Sequence, residues 1–142
     1  MLKNIPVTFT PDLLRLLMAM GHGEELLISD GNFPALTCGQ SIEQIYLPVT
    51  DIPSLLKDIL YFFPLDDTSE YPLRVMESAK ESGAYDQYSK VIAGEGIEKK
   101  IGTVERFEFY RQAELAAGIV ITSSMVKGGN ILLKKGVVHR GV

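Results

Sequence analysis

The chain contains a single cysteine, Cys38, in 142 residues. No internal disulfide and no cysteine-built zinc cluster can form, and the expected state of Cys38 is a free thiol in a reducing compartment. Histidine is nearly as scarce: only His22 and His139 are present, with no pair at metal-ligand spacing. No apolar run reaches the roughly 18 residues of a membrane span. The opening residues, with Lys3, Asn4 and Pro6, carry no apolar segment ending in a small-residue cleavage site. These absences point to a cytoplasmic protein without a membrane partner. Basic charge is also short, since 14 Lys and Arg against 18 Asp and Glu leave a net charge of −4. The pairs Lys99-Lys100 and Lys134-Lys135 are too brief for a phosphate-tracking stripe, which argues against nucleic acid. Gly21-His22-Gly23 precedes an apolar run instead of following one, and Gly94-Glu95-Gly96 lacks a third glycine, so no dinucleotide fingerprint exists. No serine sits in a nucleophile elbow. With no cofactor or metal called for, cofactor-free proton transfer remains as the chemistry to consider.

Hydrophobic residues make up 46% and charged residues 23% of the chain, without low-complexity tracts. A single folded domain over 1–142 is expected. Thr10, Pro11 and Asp12 supply a cap oxygen, a first-turn proline and a first-turn acid, so a helix is expected from about Pro11 to Met20. Glu25 to Ser29 reads as a short buried strand ended by a loop at Asp30-Gly31-Asn32-Phe33-Pro34. Further strands are expected at Ile42 to Val49, Leu73 to Met76, Ile101 to Val104, Gly118 to Thr122 and Asn130 to Lys134. Helices are expected from Asp51 to Phe63, from Tyr85 to Ala93 and from Arg106 to Ala117. Helices alternating with continuously apolar strands predict an α/β, three-layer fold. Its sheet would be mostly parallel or mixed, with helices on both faces and ligand sites beyond the strand ends.

His22, in a glycine-flanked turn, is the side chain best suited to exchange protons near neutral pH. A histidine just past a helix can equally cap its last carbonyls. Asp30, beside Gly31 and Asn32, suits a polyol hydroxyl at a strand end, although Asp-Gly makes an Asx turn by itself. Arg106 offers a planar fork of donors, or a solvated charge paired with Glu105 or Glu108. Lys127-Gly128-Gly129-Asn130 permits close main-chain approach to a ligand, with a side-chain amide beside it, and also reads as a plain turn. Asp66-Asp67 and Glu24-Glu25 are adjacent, do not face one another, and are read as surface charge.

Three segments together resemble the L-fucose mutarotase and D-ribose pyranase family. They are Met20 to Pro34, Arg106-Phe107-Glu108-Phe109-Tyr110, and Gly129-Asn130-Ile131-Leu132-Leu133-Lys134-Lys135-Gly136-Val137. The resemblance runs in order over nearly the whole chain, and the arginine at 106 places it nearer the fucose mutarotase branch. It implies interconversion of the anomers of a free monosaccharide without cofactor or metal. His22 matches the family's proton donor, and Asp30, Arg106 and Asn130 match its substrate-binding positions, with Gly128 and Gly129 in the loop before Asn130. It further implies a homo-oligomer, a decameric ring among the forms open to it, with sites near subunit contacts. Where the family carries Tyr-Gly-Asn, this chain carries Gly128-Gly129-Asn130. A phenol can donate to a sugar oxygen and pack on the ring, and glycine can do neither.

Overall fold

Thr10 and Asp51 begin two of the helices that cover one sheet face. The Thr10 hydroxyl accepts the amide of Leu13 at 3.2 Å, with Pro11 in the first turn, and opens α1 (Pro11–Ala19). The Asp51 carboxylate accepts the amide of Ser54 at 3.1 Å and opens α3 (Ile52–Phe62). Each cap oxygen satisfies an amide that the helix itself cannot. The computed structural model describes residues 1–140.

The strands are β1 (Glu25–Ser29), β2 (Glu43–Tyr46), β3 (Leu73–Met76), β4 (Ile101–Val104), β5 (Gly118–Ile121) and β6 (Ile131–Lys134). They form one six-stranded sheet in the order β2-β5-β1-β6-β3-β4. All pairings are parallel except those of β6, which runs antiparallel to both β1 and β3. The segment 122–130 that joins β5 to β6 contains no helix. Parallel neighbours need a long crossover, and here the chain turns back and enters the sheet antiparallel. The mixed, three-layer expectation is met.

Alternation along the central strands divides the core in two. Leu26 and Ile28 of β1 point into one cluster with Leu13, Leu17, Leu55, Leu56 and Ile59 from α1 and α3. The same cluster holds Tyr88 and Ile92 of α5 (Ala84–Gly94). Leu27 points to the other side, with Leu132, Ile119 and Phe109, under α6 (Arg106–Ala113) and α2 (Ala35–Cys38). The sheet is therefore covered on both faces, as the unbroken apolar runs of β1, β5 and β6 demand.

Most boundaries fall within a residue of expectation, and larger differences have local causes. The helix expected to reach Ala117 stops at Ala113. Leu115 and Ala116 close tighter turns onto Gln112 and Ala113, and the amide of Ala117 donates to the carbonyl of Glu25 at 2.8 Å, drawing the chain toward the sheet. The strand expected over Ile42 to Val49 is only Glu43–Tyr46, since Pro48 has no amide to extend the ladder. The first helix ends at Ala19, with Met20 as its extended cap. Two short helices had no sequence expectation, α2 and α4 (Ser78–Ser82). Segments of four and five residues are too short to display a helical period.

Candidate functional site

The parallel strands β1, β3, β4 and β5 point their C-terminal ends the same way, and antiparallel β6 begins at that end. A cavity of about 560 Å³ lies there. Asp30 leaves β1 into it, and Asn130 enters β6 beside Asp30 because Ile28 pairs with Ile131. The two side chains bind reciprocally: Asn130 Oδ1 accepts the amide of Asp30 at 2.8 Å, while Asn130 Nδ2 donates to Asp30 Oδ2 at 3.3 Å. Asp30 Oδ1 also accepts the amide of Asn32 at 2.9 Å, so the Asx turn expected of Asp-Gly is present together with the cavity position. Asp30 is 5% exposed. Burial pushes its carboxyl above the usual carboxylate range, opposed by hydrogen bonds from Asn32, Asn130, Gly129 and Phe33.

Arg106 is the first residue of α6, whose start is capped by Glu105 accepting the amides of Phe107 and Glu108. Its Nε donates to the hydroxyl of Tyr110 at 3.2 Å, one turn on, and its guanidinium lies 5.6 Å from the Phe107 and Tyr110 ring centroids. The hydrogen bond from Arg106 leaves the phenol proton of Tyr110 free to donate at the cavity wall. The carboxylate partners considered for Arg106 are otherwise occupied: Glu105 caps the helix, and Glu108 binds Arg111. Phe33, three residues past Asp30, packs edge-on against Phe109 and Tyr110 and so couples the β1 loop to α6.

Gly128 has φ +66°, a left-handed conformation that disfavours any side chain. The loop it belongs to is held from α5. The buried hydroxyl of Tyr88 donates to the carbonyl of Gly129 at 2.5 Å, and burial with the nearby Asp30 charge raises the Tyr88 phenol well above its ordinary value. Tyr88 is invisible to a motif search because its spacing with Ala84 and Ile92 marks an apolar helix face. Met76, Ser78 and Glu81 also line the cavity and were not singled out from sequence. They lie on and after β3, which shares no motif with the other segments.

His22 is not in this cavity. It lies in the turn before β1, where Gly23 takes φ +84° and donates its amide to the carbonyl of Lys135 at 2.8 Å. Asp30 follows the other end of the same strand, and five strand residues span about 17 Å. Within one chain the two residues are therefore on opposite ends of the sheet. The helix-cap reading of His22 does not hold either, since the Lys135 ammonium donates to the carbonyls of Leu17 (3.1 Å) and Met20 at the end of α1.

His22 instead faces Asp66, with Nε2 3.3 Å from Oδ1. This corrects the reading of Asp66-Asp67 as surface charge: Asp67 is exposed, but Asp66 is 2% exposed. Asp66 accepts from the Ser69 hydroxyl at 2.5 Å and from the hydroxyl and amide of Thr68 at 2.9 and 3.2 Å. These donors, with His22, hold its carboxyl well below the usual range despite the burial. An ionised carboxylate only accepts, so the imidazole proton belongs on Nε2, and Nδ1 is left as the basic atom. Glu24 and Glu25 also separate: Glu24 accepts the amide of Gly21 at 2.6 Å, and Glu25 pairs with Arg74 at 2.5 Å. Among the described residues no group of three or more His, Cys, Asp or Glu side chains is placed to hold a metal ion. Among the described residues no helix is long and apolar enough to cross a membrane.

A model of the RbsD / FucU transport protein family matches residues 3–138. The chain belongs to that family. Fucose mutarotase of Danio rerio is 40% identical to it, covering 96% of this chain and 94% of that protein. Fucose mutarotase of Mus musculus is 38% identical, covering 99% and 97%. In structure, the fucose mutarotase of Streptococcus pneumoniae, solved in complex with L-fucose, superimposes with a TM-score of 0.89 at 37% identity. That match covers 97% of this chain and all of the other. Family membership thus rests on the whole length, including the strand ends that build the cavity.

Proposed function

We propose that the protein, as one mutarotase-like domain over 1–142, interconverts the α and β anomers of a free monosaccharide, L-fucose foremost, by acid-base ring opening. The observation that carries this reading is the reciprocal Asp30–Asn130 pair in a cavity at the C-terminal strand ends, with Arg106 on its wall. Similarity to fucose mutarotases over the full length supports the same chemistry. Mutarotation takes a proton from the anomeric hydroxyl and delivers one to the ring oxygen; the opened carbonyl turns, and closure reverses both transfers. Asp30, Asn130 and Arg106 hold sugar hydroxyls, with the Gly128-Gly129 main chain as the adjoining wall. His22 exchanges the proton through Nδ1, with Asp66 orienting the ring and stabilising the imidazolium.

A single copy does not bring His22 to Asp30, so the reaction we propose takes place in a homo-oligomer, in which the His22 turn of one copy closes the cavity of the next. The His22 side chain is 53% exposed and free to do so. Phe107 and Met125 stand exposed at and beside the cavity mouth, an apolar surface suited to burial by a second copy. A decameric ring is one closed arrangement of such head-to-tail contacts. The proposed setting is the cytoplasm.

Saturation-transfer NMR on L-fucose, D-galactose and D-ribose tests the reading. Accelerated exchange of L-fucose is expected; acceleration of D-ribose alone assigns a pyranase instead. Gly128, with no side chain to offer the sugar, favours one rival, a catalytically silent sugar-binding protein. Calorimetric binding of L-fucose without any accelerated exchange would establish that rival.

A further inference from the structure

Ser78 and Gly128 claim the same volume. A Cβ on Gly128 would collide with the Oγ of Ser78 and lie 3.1 Å from its Cβ and 3.3 Å from the amide nitrogen of Ala79. Rotation of the Ser78 hydroxyl would relieve the first contact, but the Ser78 Cβ and the Ala79 amide would still have to give by a few tenths of an ångström. Ala79, the second residue of α4, is fully buried in the core, and the loop is pinned by Tyr88 on the Gly129 carbonyl and by the Gly129 amide on the Val126 carbonyl at 3.1 Å. A side chain at position 128 would therefore compete with that of Ser78 for this part of the cavity. Here the side chain enters from α4, and it is a hydroxyl. Ser78 lines the cavity with Asp30 and Asn130 and is half-buried there.

We propose that Ser78 is a substrate-contacting, specificity-setting residue, whose hydroxyl binds a ring hydroxyl of the aldopyranose from the α4 side of the cavity in space that Gly128 leaves open. The inference rests on the sugar site described above and names a residue for it. A serine hydroxyl both donates and accepts, so it pairs with a sugar hydroxyl in either orientation. A sugar carbon without a hydroxyl at this wall leaves Ser78 unpaired. That difference gives the α4 side of the cavity its selectivity.

The test measures anomer exchange of L-fucose as a function of sugar concentration in the full-length protein and in Ser78→Ala. The expected result is a KM raised roughly two- to tenfold, the worth of one neutral hydrogen bond, with kcat and its pH profile unchanged because Ser78 moves no proton. An unchanged KM in Ser78→Ala, with the parent active, overturns the inference and leaves the mutarotase reading intact. If the parent accelerates no exchange, that reading fails, and calorimetry with L-fucose decides on Ser78: weaker binding by Ser78→Ala upholds it, and equal or absent binding overturns it. The shared volume has its own measurement. Gly128→Ala should lower Tm less in a Ser78→Gly background than in the parent, and equal losses would show that the two positions do not compete.

Discussion

His22 Nε2 lies 3.3 Å from the buried carboxylate of Asp66, at the end of the sheet opposite the pair formed by Asp30 and Asn130. One chain thus holds the His22 imidazole and the cavity proposed for the sugar too far apart to meet. The proposed chemistry follows when two copies bring them together.

Subunit complementation tests this arrangement. His22→Ala and Asp30→Ala proteins are each expected to lose exchange activity, His22→Ala by about 10²–10⁴-fold, the usual worth of general acid-base catalysis. Co-assembled, they should recover about a quarter of the parent rate, since random pairing leaves that share of head-to-tail sites intact. No recovery in a verified mixed oligomer would place both residues in a site built by one copy.

Asp66→Asn keeps the size of the side chain and removes the charge that faces His22. Exchange is expected to fall on the order of tenfold or more, with little change in L-fucose affinity. The same variant bears on acid stability. The folded Asp66 pKa is depressed below its unfolded value, so its contribution is present above the unfolded pKa of about 3.9 and is lost as pH falls below it. Thermal melts of the parent between pH 5 and 2 should therefore fall more steeply than those of Asp66→Asn.

Arg106→Lys retains the charge but cannot reproduce the planar fork or the guanidinium stack on Phe107 and Tyr110. A KM increase of roughly tenfold is expected, the cost of about one charge-assisted hydrogen bond, with an unchanged melting temperature because the side chain is exposed. Exchange rates against sugar concentration, together with a thermal melt, check both parts.

Lys135→Met leaves the Leu17 and Met20 carbonyls at the end of α1 without their ammonium. A loss of about 1 kcal/mol is expected from removing a helix C-terminal cation, visible as a Tm lower by about 4 °C. Sugar affinity should be unaffected. A melting temperature equal to the parent's would mean that water caps this helix as well as Lys135 does.

Leu132→Ala tests the second core layer. Leu132 is fully buried against Phe109 and Ile119 between the sheet and α6. Removing its side chain should cost about 2–5 kcal/mol, read from urea unfolding.

The local code of this chain is strong where a cap or a continuous apolar run is present. Thr10-Pro11-Asp12 and Asp51 mark their helices, and the runs around Leu27, Val120 and Leu132 mark the three central strands, because each signal acts within a few residues. The same locality made His22, Asp30, Arg106 and Asn130 visible as candidates. It could not show that Asp66 is buried, that Lys135 caps α1, or that Ser78 fills the volume beside Gly128. Those relations join residues 44, 115 and 50 positions apart, and adjacency in sequence carries no trace of them. Sequence by itself determined the longer secondary elements and their apolar faces and marked four candidate side chains, since these follow from period, capping and functional-group chemistry. Only the tertiary structure decided that β6 runs backwards to seat Asn130 beside Asp30, and that the turn before β1 sets His22 against Asp66. Strand direction and contacts between distant segments act over distances that no local pattern encodes.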